Sequence, residues 1–299
     1  MEIYIGGYTS LDSKNVAMPL ELIVTYMLAP AGFGAISALL LARSERLGAL
    51  ASLVLAGGIA VHYLYTEGWE ASDFWQAPIA AKDKLAFLLV ICGPAALGLS
   101  RYKSKTIIAS SFGLFLTSFF WIAQRQLFGS FELSFAVLPI YSFAVVSILS
   151  GQLVSSGYAK LHWPVALLIV LTCTSIVSLV GGFISLGQLL GATTALWGGA
   201  LAVVYFFDIT GSSLNGSDAF IRSGALGVML TFGMCLIVLT PFATNLSTPA
   251  VVLVLLALAT PIIGRAFVRK QSQALQPVLA AMLALVPAGG AAVLAVRNF

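Results

Sequence analysis

Apolar residues run through this chain in long blocks, and the blocks break at short clusters of charged residues, glycine and proline. Ten blocks can be drawn: residues 20–43, 47–65, 85–100, 105–124, 134–155, 162–181, 186–207, 219–243, 249–268 and 275–296. At helical rise, about 20 apolar residues match the roughly 30 Å hydrocarbon core of a bilayer. The pattern therefore predicts an all-α fold, a polytopic transmembrane helical bundle of about ten helices. The stretch 161–208 is too long for one crossing, and Gly181-Gly182 offers a tight turn where it can be split. If that stretch crossed only once, every later loop would change sides.

Composition removes the soluble alternatives. Of 299 residues, 60% are hydrophobic and 9% are charged, against about 25% charged in an ordinary soluble domain. No soluble fold has enough interior for that much apolar surface. Residues 1–18 carry Glu2, Asp12 and Lys14 and no apolar core of a signal peptide, so the first helix is expected to direct insertion. The expected organisation is an outward segment 1–19, a first bundle 20–155 with an outer loop 66–84, and a second bundle 156–299.

Charge then sets orientation. One set of alternate loops holds Arg43, Arg46, Arg101, Lys103, Lys105, Lys160, Arg222, Arg265, Arg269 and Lys270, ten of the fifteen basic residues. The other set holds five basic residues and eight of the eleven acids: Glu2, Asp12, Glu21, Glu67, Glu70, Asp73, Asp83 and Glu132. Cytoplasmic loops carry the excess of Lys and Arg, so both termini are expected outside, in a cell (inner, cytoplasmic) membrane. The net charge of +4 reflects these loops, with no basic run of the kind nucleic acid requires. The outward acids are either a solvated face or a docking surface for an extracytoplasmic partner.

Candidate chemistry is sparse. Cys92, Cys173 and Cys235 fall singly in three apolar blocks, without metal-ligand or disulfide spacing. His62 and His162 are expected at opposite membrane faces, about 30 Å apart, too far for a bis-histidine haem. With the cysteines scattered as well, neither haem nor iron–sulfur cluster is expected in this chain. The outer boundary is richer. Glu21 and Tyr26 come from the first helix, and His62, Tyr63 and Glu67 end the second. Glu70, Asp73 and Trp75 follow in the loop, and Trp121 and Arg125 end the fourth. These residues suit an aromatic belt with snorkelling charges. They equally suit a site for a ligand with an apolar tail and polar head, such as a quinone, whose carbonyls need hydrogen-bond donors. His62 is the only side chain there whose ordinary pKa suits proton exchange near neutral pH. It is the candidate catalytic group, with Tyr26, Tyr63, Trp121, Arg125 and Glu21 as candidate quinone-binding residues.

Several of these segments resemble the membrane-anchor subunits of molybdopterin oxidoreductases, the polysulfide-reductase and DMSO-reductase anchor family. The likeness rests on Tyr26 followed by Ala31-Gly32-Phe33-Gly34-Ala35, on His62 at the outer end of helix 2, on Asp73-Phe74-Trp75, and on the Leu138-Pro139-led fifth helix. Leu189-Leu190-Gly191 and Trp197-x-Gly199 resemble the seventh. After His62 the chain reads Tyr-Leu-Tyr-Thr-Glu-Gly, where many members have Leu-Gly-x-Pro-x-Arg, and helices 9 and 10 exceed the usual eight. The resemblance implies a bound, non-covalent quinone near His62 and an iron–sulfur subunit docked on Glu67, Glu70, Asp73 and Trp75. It further implies a molybdopterin catalytic subunit beyond, the whole forming a multisubunit respiratory oxidoreductase.

A second class competes. Ten helices in about 300 residues can form two inverted five-helix halves of a secondary transporter, and Ser185-Leu186-Gly187-Gln188-Leu189-Leu190 with Trp197-Gly198 resembles the drug/metabolite transporter superfamily. That superfamily starts with its amino terminus inside, one span out of phase with this chain. Transporters also tend to carry a charge at mid-membrane, and no charge falls near the centre of any block.

Overall fold

The computed structural model describes residues 17–69, 80–129, 133–155, 162–211, 214–242, 247–264 and 275–297. The protein is an all-α, multi-pass membrane bundle, with no strand among the described residues. The first span is one rod built of α1 (Ala17–Ile23), a π-helical turn (Val24–Leu28) and α2 (Ala29–Leu41). A short α3 (Glu45–Gly48) leads into α4 (Ala51–Thr66). Then come α5 (Ala81–Leu99), α6 (Ser104–Gly129), α7 (Leu133–Ser155), α8 (His162–Val180), α9 (Ile184–Ile209), α10 (Ser217–Phe242), α11 (Thr248–Ile263) and α12 (Gln276–Arg297).

Each of the ten apolar blocks is occupied by a helix. Eight helical stretches are long and apolar enough to cross a membrane. The other two are α5, which carries Lys82, Asp83 and Lys84 in its first turn, and α11, at 16 residues. The division at Gly181-Gly182 is real. Gly182 has φ +85, its N–H bonds Leu179 C=O at 3.2 Å, and Phe183 N–H bonds Ser178 C=O at 2.9 Å. That is the Schellman pattern, in which a left-handed glycine satisfies the last carbonyls of a helix. The Ser175 hydroxyl then donates to Gly187 C=O at 2.6 Å, tying α8 to α9.

The loops sort to two ends. At the basic end Gly216 N–H bonds Ala42 C=O at 2.9 Å, and His162 Nε2 lies 3.1 Å from Gln276 Oε1. At the acidic end Lys82 meets Glu67 at 3.5 Å. Both ends of the described chain lie at the acidic end.

Packing centres on α10, which is buried along nearly its whole length and touches α4, α5, α6, α7, α8 and α9. Ser223 of α10 caps α4 from outside. Its hydroxyl donates to Ala49 C=O at 2.7 Å and accepts from Ser52 N–H at 3.2 Å, one of the N–H groups a helix start leaves unpaired. The first span docks on α9 through glycines: a Cβ on Gly34 would strike the Leu196 carbonyl, and one on Gly199 the Ala31 carbonyl. Small residues that admit backbone to backbone are the main means of joining helices in lipid.

The helices of the two halves interleave; α4 on α9 and α5 on α10 are their own two-fold counterparts, but the other cross-half pairs among the described residues lack theirs. Inverted five-helix repeats would match the first span on α9 with α4 on α8, α4 on α10 with α5 on α9, and α7 on α10 with α5 on α12. None of those three counterpart pairs is closely packed among the described residues.

Candidate ligand site at the acidic end

Four spans meet at the acidic end: the first rod, α4, α5 and α6. The rod is α-helical except at Val24–Leu28, where Ala29 N–H reaches back five residues to Val24 C=O. Pro30 follows and has no N–H to offer Tyr26 C=O, so the ordinary ladder fails at that point. Single π-turns of this kind are frequent at functional sites. This one carries Tyr26.

His62 lies on α4, one turn from its end, where Thr66 Oγ1 donates to His62 C=O at 3.0 Å. Tyr26 and His62 meet edge to face, with ring centroids 5.4 Å apart and planes at 87°. His62 Nε2 is buried from solvent and has no hydrogen-bond partner. A buried polar atom left unpaired costs about 1–3 kcal/mol, so this nitrogen is a standing demand for a partner.

The next residue, Tyr63, is turned about 100° around the helix and faces α5. It is buried, and its hydroxyl donates to Lys82 C=O at 3.3 Å. Beyond Thr66 the helix closes on Gly68 at φ +70, with Trp69 N–H bonded to Leu64 C=O at 2.9 Å. Glu67 at this corner is half-buried and pairs at 3.5 Å with the exposed Lys82.

The start of α5 differs from the expected outer loop 66–84. Asp83 Oδ2 accepts from Ala80 N–H at 3.3 Å, an end-cap that lets the helix begin at Ala81. Lys82, Asp83 and Lys84 are therefore helical, and Lys84 is 2% exposed. Its ammonium donates to Trp121 C=O at 2.8 Å and lies 5.8 Å from the Trp121 ring centroid. Phe87 stands between Trp121 and Trp69, at 6.4 and 5.6 Å between ring centroids. The apolar pattern alone puts Lys84 in a loop. The signal for its burial is its four-residue spacing to Leu88 and Cys92, which shares their helix face.

The candidate residues thus divide. Tyr26 and His62 come together on one side of α4. Trp121 joins Lys84 and Phe87 on another, with Tyr63 turned toward α5. Glu21 is exposed on α1, and Glu67 bridges α4 and α5. Glu70, Asp73 and Trp75 lie outside the described residues, as does the side chain of Arg125, whose backbone sits one turn past Trp121 on α6. His162 is held at the basic end by Gln276.

The chain matches no protein-family model, and no curated protein or solved structure matches it significantly. Among the described residues no group of three His, Cys, Asp or Glu side chains could hold a metal ion.

Proposed function

We propose that this chain is the quinone-binding membrane anchor of a multisubunit respiratory oxidoreductase in the inner membrane, and that it handles its ligand at Tyr26 and His62. The observation that carries the reading is the buried, unpartnered Nε2 of His62 beside the Tyr26 ring, near the acidic end of the bundle. The residues present fit such a group: one orphan ring nitrogen to meet a carbonyl or hydroxyl oxygen, one aromatic wall, and an apolar surround. A quinone, when bound, supplies a two-electron, two-proton couple.

The chain's own part is binding and proton handling. His62 Nε2 hydrogen-bonds the head group and gives or takes a proton there. Tyr26 orients the imidazole by its edge contact. Glu67 and the exposed Lys82 lie one turn outward, where the proton meets water. An iron–sulfur subunit docks on the outward acids and exchanges electrons with the site, and a molybdopterin subunit completes the complex. The transporter alternative rests on inverted repeats, and most cross-half helix pairs among the described residues lack the counterpart that such repeats require.

The test is purification of the native assembly followed by decylubiquinol-coupled electron transfer. His62→Ala is expected to lower the rate at least tenfold, short of the roughly hundredfold at which proton-transfer groups usually begin, while leaving the complex assembled. Full activity in that variant removes His62 from the chemistry. Purification as a lone chain or homodimer, with substrate flux in liposomes, overturns the anchor reading.

A further inference from the structure

The outer half of the first span stands away from α4. Its inner half, α2, packs on both α4 and α9; the π-turn packs on α9, and α1 packs closely on no helix beyond that turn among the described residues. Neither α1 nor the π-turn is closely packed against α4. The two spans therefore diverge toward the acidic end and enclose a wedge.

Its floor and its outer closure are single contacts. At the floor Phe33 sits in the notch left by Gly58, where a Cβ would come within 2.6 Å of the Phe33 ring. Nearer the outer end the wedge is bridged by the Tyr26–His62 ring pair. The flanking surface is apolar and exposed: Leu22, Ile23 and Met27 on the first span, Val61 and Tyr65 on α4. Next to Gly58, Gly57 has open space where a side chain would be.

The wall that carries Tyr26 is also the wall whose hydrogen-bond ladder is broken. The π-turn and Pro30 put that break at and just inward of Tyr26, and helix bends are found at such points. Outward of the break, α1 is held closely by the π-turn alone among the described residues.

We infer that this wedge is the lipid-side mouth of the His62 site, through which a membrane-dissolved ring ligand enters laterally, with Tyr26 as its gate. The identity of that ligand as a quinone rests on the reading above; the mouth does not. A ring arriving from the lipid displaces the Tyr26 edge and meets His62 Nε2, and its tail stays between the outer half of the first span and α4.

The experiment is site-directed spin labelling of the full chain in liposomes. Cys92, Cys173 and Cys235 are buried, so a nitroxide goes to an introduced thiol at His62→Cys. Collision with molecular oxygen, which concentrates in lipid, is expected to exceed collision with a water-soluble nickel chelate severalfold. Adding Tyr26→Ala is expected to raise the oxygen term severalfold more. A label met chiefly by the nickel chelate overturns the lateral mouth, and an oxygen term unmoved by Tyr26→Ala overturns the gate. If the His62→Cys chain fails to fold, a label at Tyr26→Cys reads the same two terms from the opposite wall, with His62→Ala as the opening change. Decylubiquinone binding is measured in parallel on the unlabelled chain. An oxygen-accessible label without decylubiquinone binding keeps the mouth and removes the quinone. Saturable binding with a nickel-accessible label keeps the quinone and removes the mouth.

Discussion

The first span and α10 are both apolar enough to cross a membrane, yet of an 18-residue apolar stretch in each, 22% is buried in the former and 83% in the latter. Hydropathy does not separate them, because lipid tails are as apolar as leucine and give no hydrophobic force between helices. What separates them is small and hydroxyl residues. Down α10 run Ser223, Gly224, Gly227, Thr231 and Gly233, each at a contact with a neighbouring span or buried among them. In the first span the buried residues of this kind among the described ones all lie from Pro30 inward, at Gly34, Ser37 and Ala38, while Thr25 and Ala29 outward of it stay partly or fully exposed. Outward of Pro30 the span offers bulky side chains to the lipid. The central helix is central because it has backbone to offer its neighbours, and the first span is held most closely where it does.

The largest way to break this contrast is to remove a small residue from the middle. A Cβ on Gly227 would lie 3.0 Å from Ser52 Cα and 3.1 Å from its carbonyl oxygen. Gly227→Leu is expected to cost about 3 kcal/mol or more, the upper end for overpacking, and to abolish a cooperative melt in detergent. Next comes Gly34→Leu, which forces the first span off α9 because its Cβ has the Leu196 carbonyl in its place. That variant should keep a folded bundle with a first span open to protease, and it should lose any ligand affinity that depends on Tyr26. Gly32→Ala, which meets nothing within 4 Å, is the matched control and should melt like the parent.

A smaller effect is expected at the hydroxyl that caps α4. Ser223→Ala leaves Ala49 C=O and Ser52 N–H without this partner, and unpaired buried groups cost about 1–3 kcal/mol. Thermal unfolding followed by circular dichroism reads the loss. Ser223→Gly should do no better, since the missing element is the oxygen.

The same contrast explains what was legible in the sequence. The ten apolar blocks were legible, eight of them filled among the described residues by stretches long and apolar enough to cross a membrane, and so was the hairpin at Gly181-Gly182, where Gly182 takes a left-handed turn. A residue's place along the bundle could also be read: Tyr26, His62, Tyr63 and Trp121 all fall near the acidic end. Its direction around the helix could not. Tyr26 finds His62 across the first interface, whereas Trp121 finds Lys84 on α5, and nothing in the apolar runs distinguishes those azimuths. Lys84 is hidden for a related reason, because charges ordinarily end a span, while the Asp83 cap starts α5 before them. The wedge depends on which helices pack together, and that order is written in glycines and hydroxyls scattered across sequence-distant spans.

The smallest expected effect sharpens the comparison most. Leu28 ends the π-turn and is 59% exposed, and Leu226 of α10 is 0% exposed. The two are the same side chain in spans of similar apolar character. Truncation to alanine at Leu226 opens a cavity among α10's neighbours, and core truncations destabilise in proportion to the cavity left. Truncation at Leu28 removes atoms that face lipid, and lipid closes over the gap, so the bundle should lose no more than about 0.5 kcal/mol, the range for surface changes. A melt that falls as far for Leu28→Ala as for Leu226→Ala would mean that the outer half of the first span is packed against protein, and the wedge beside His62 would then be closed.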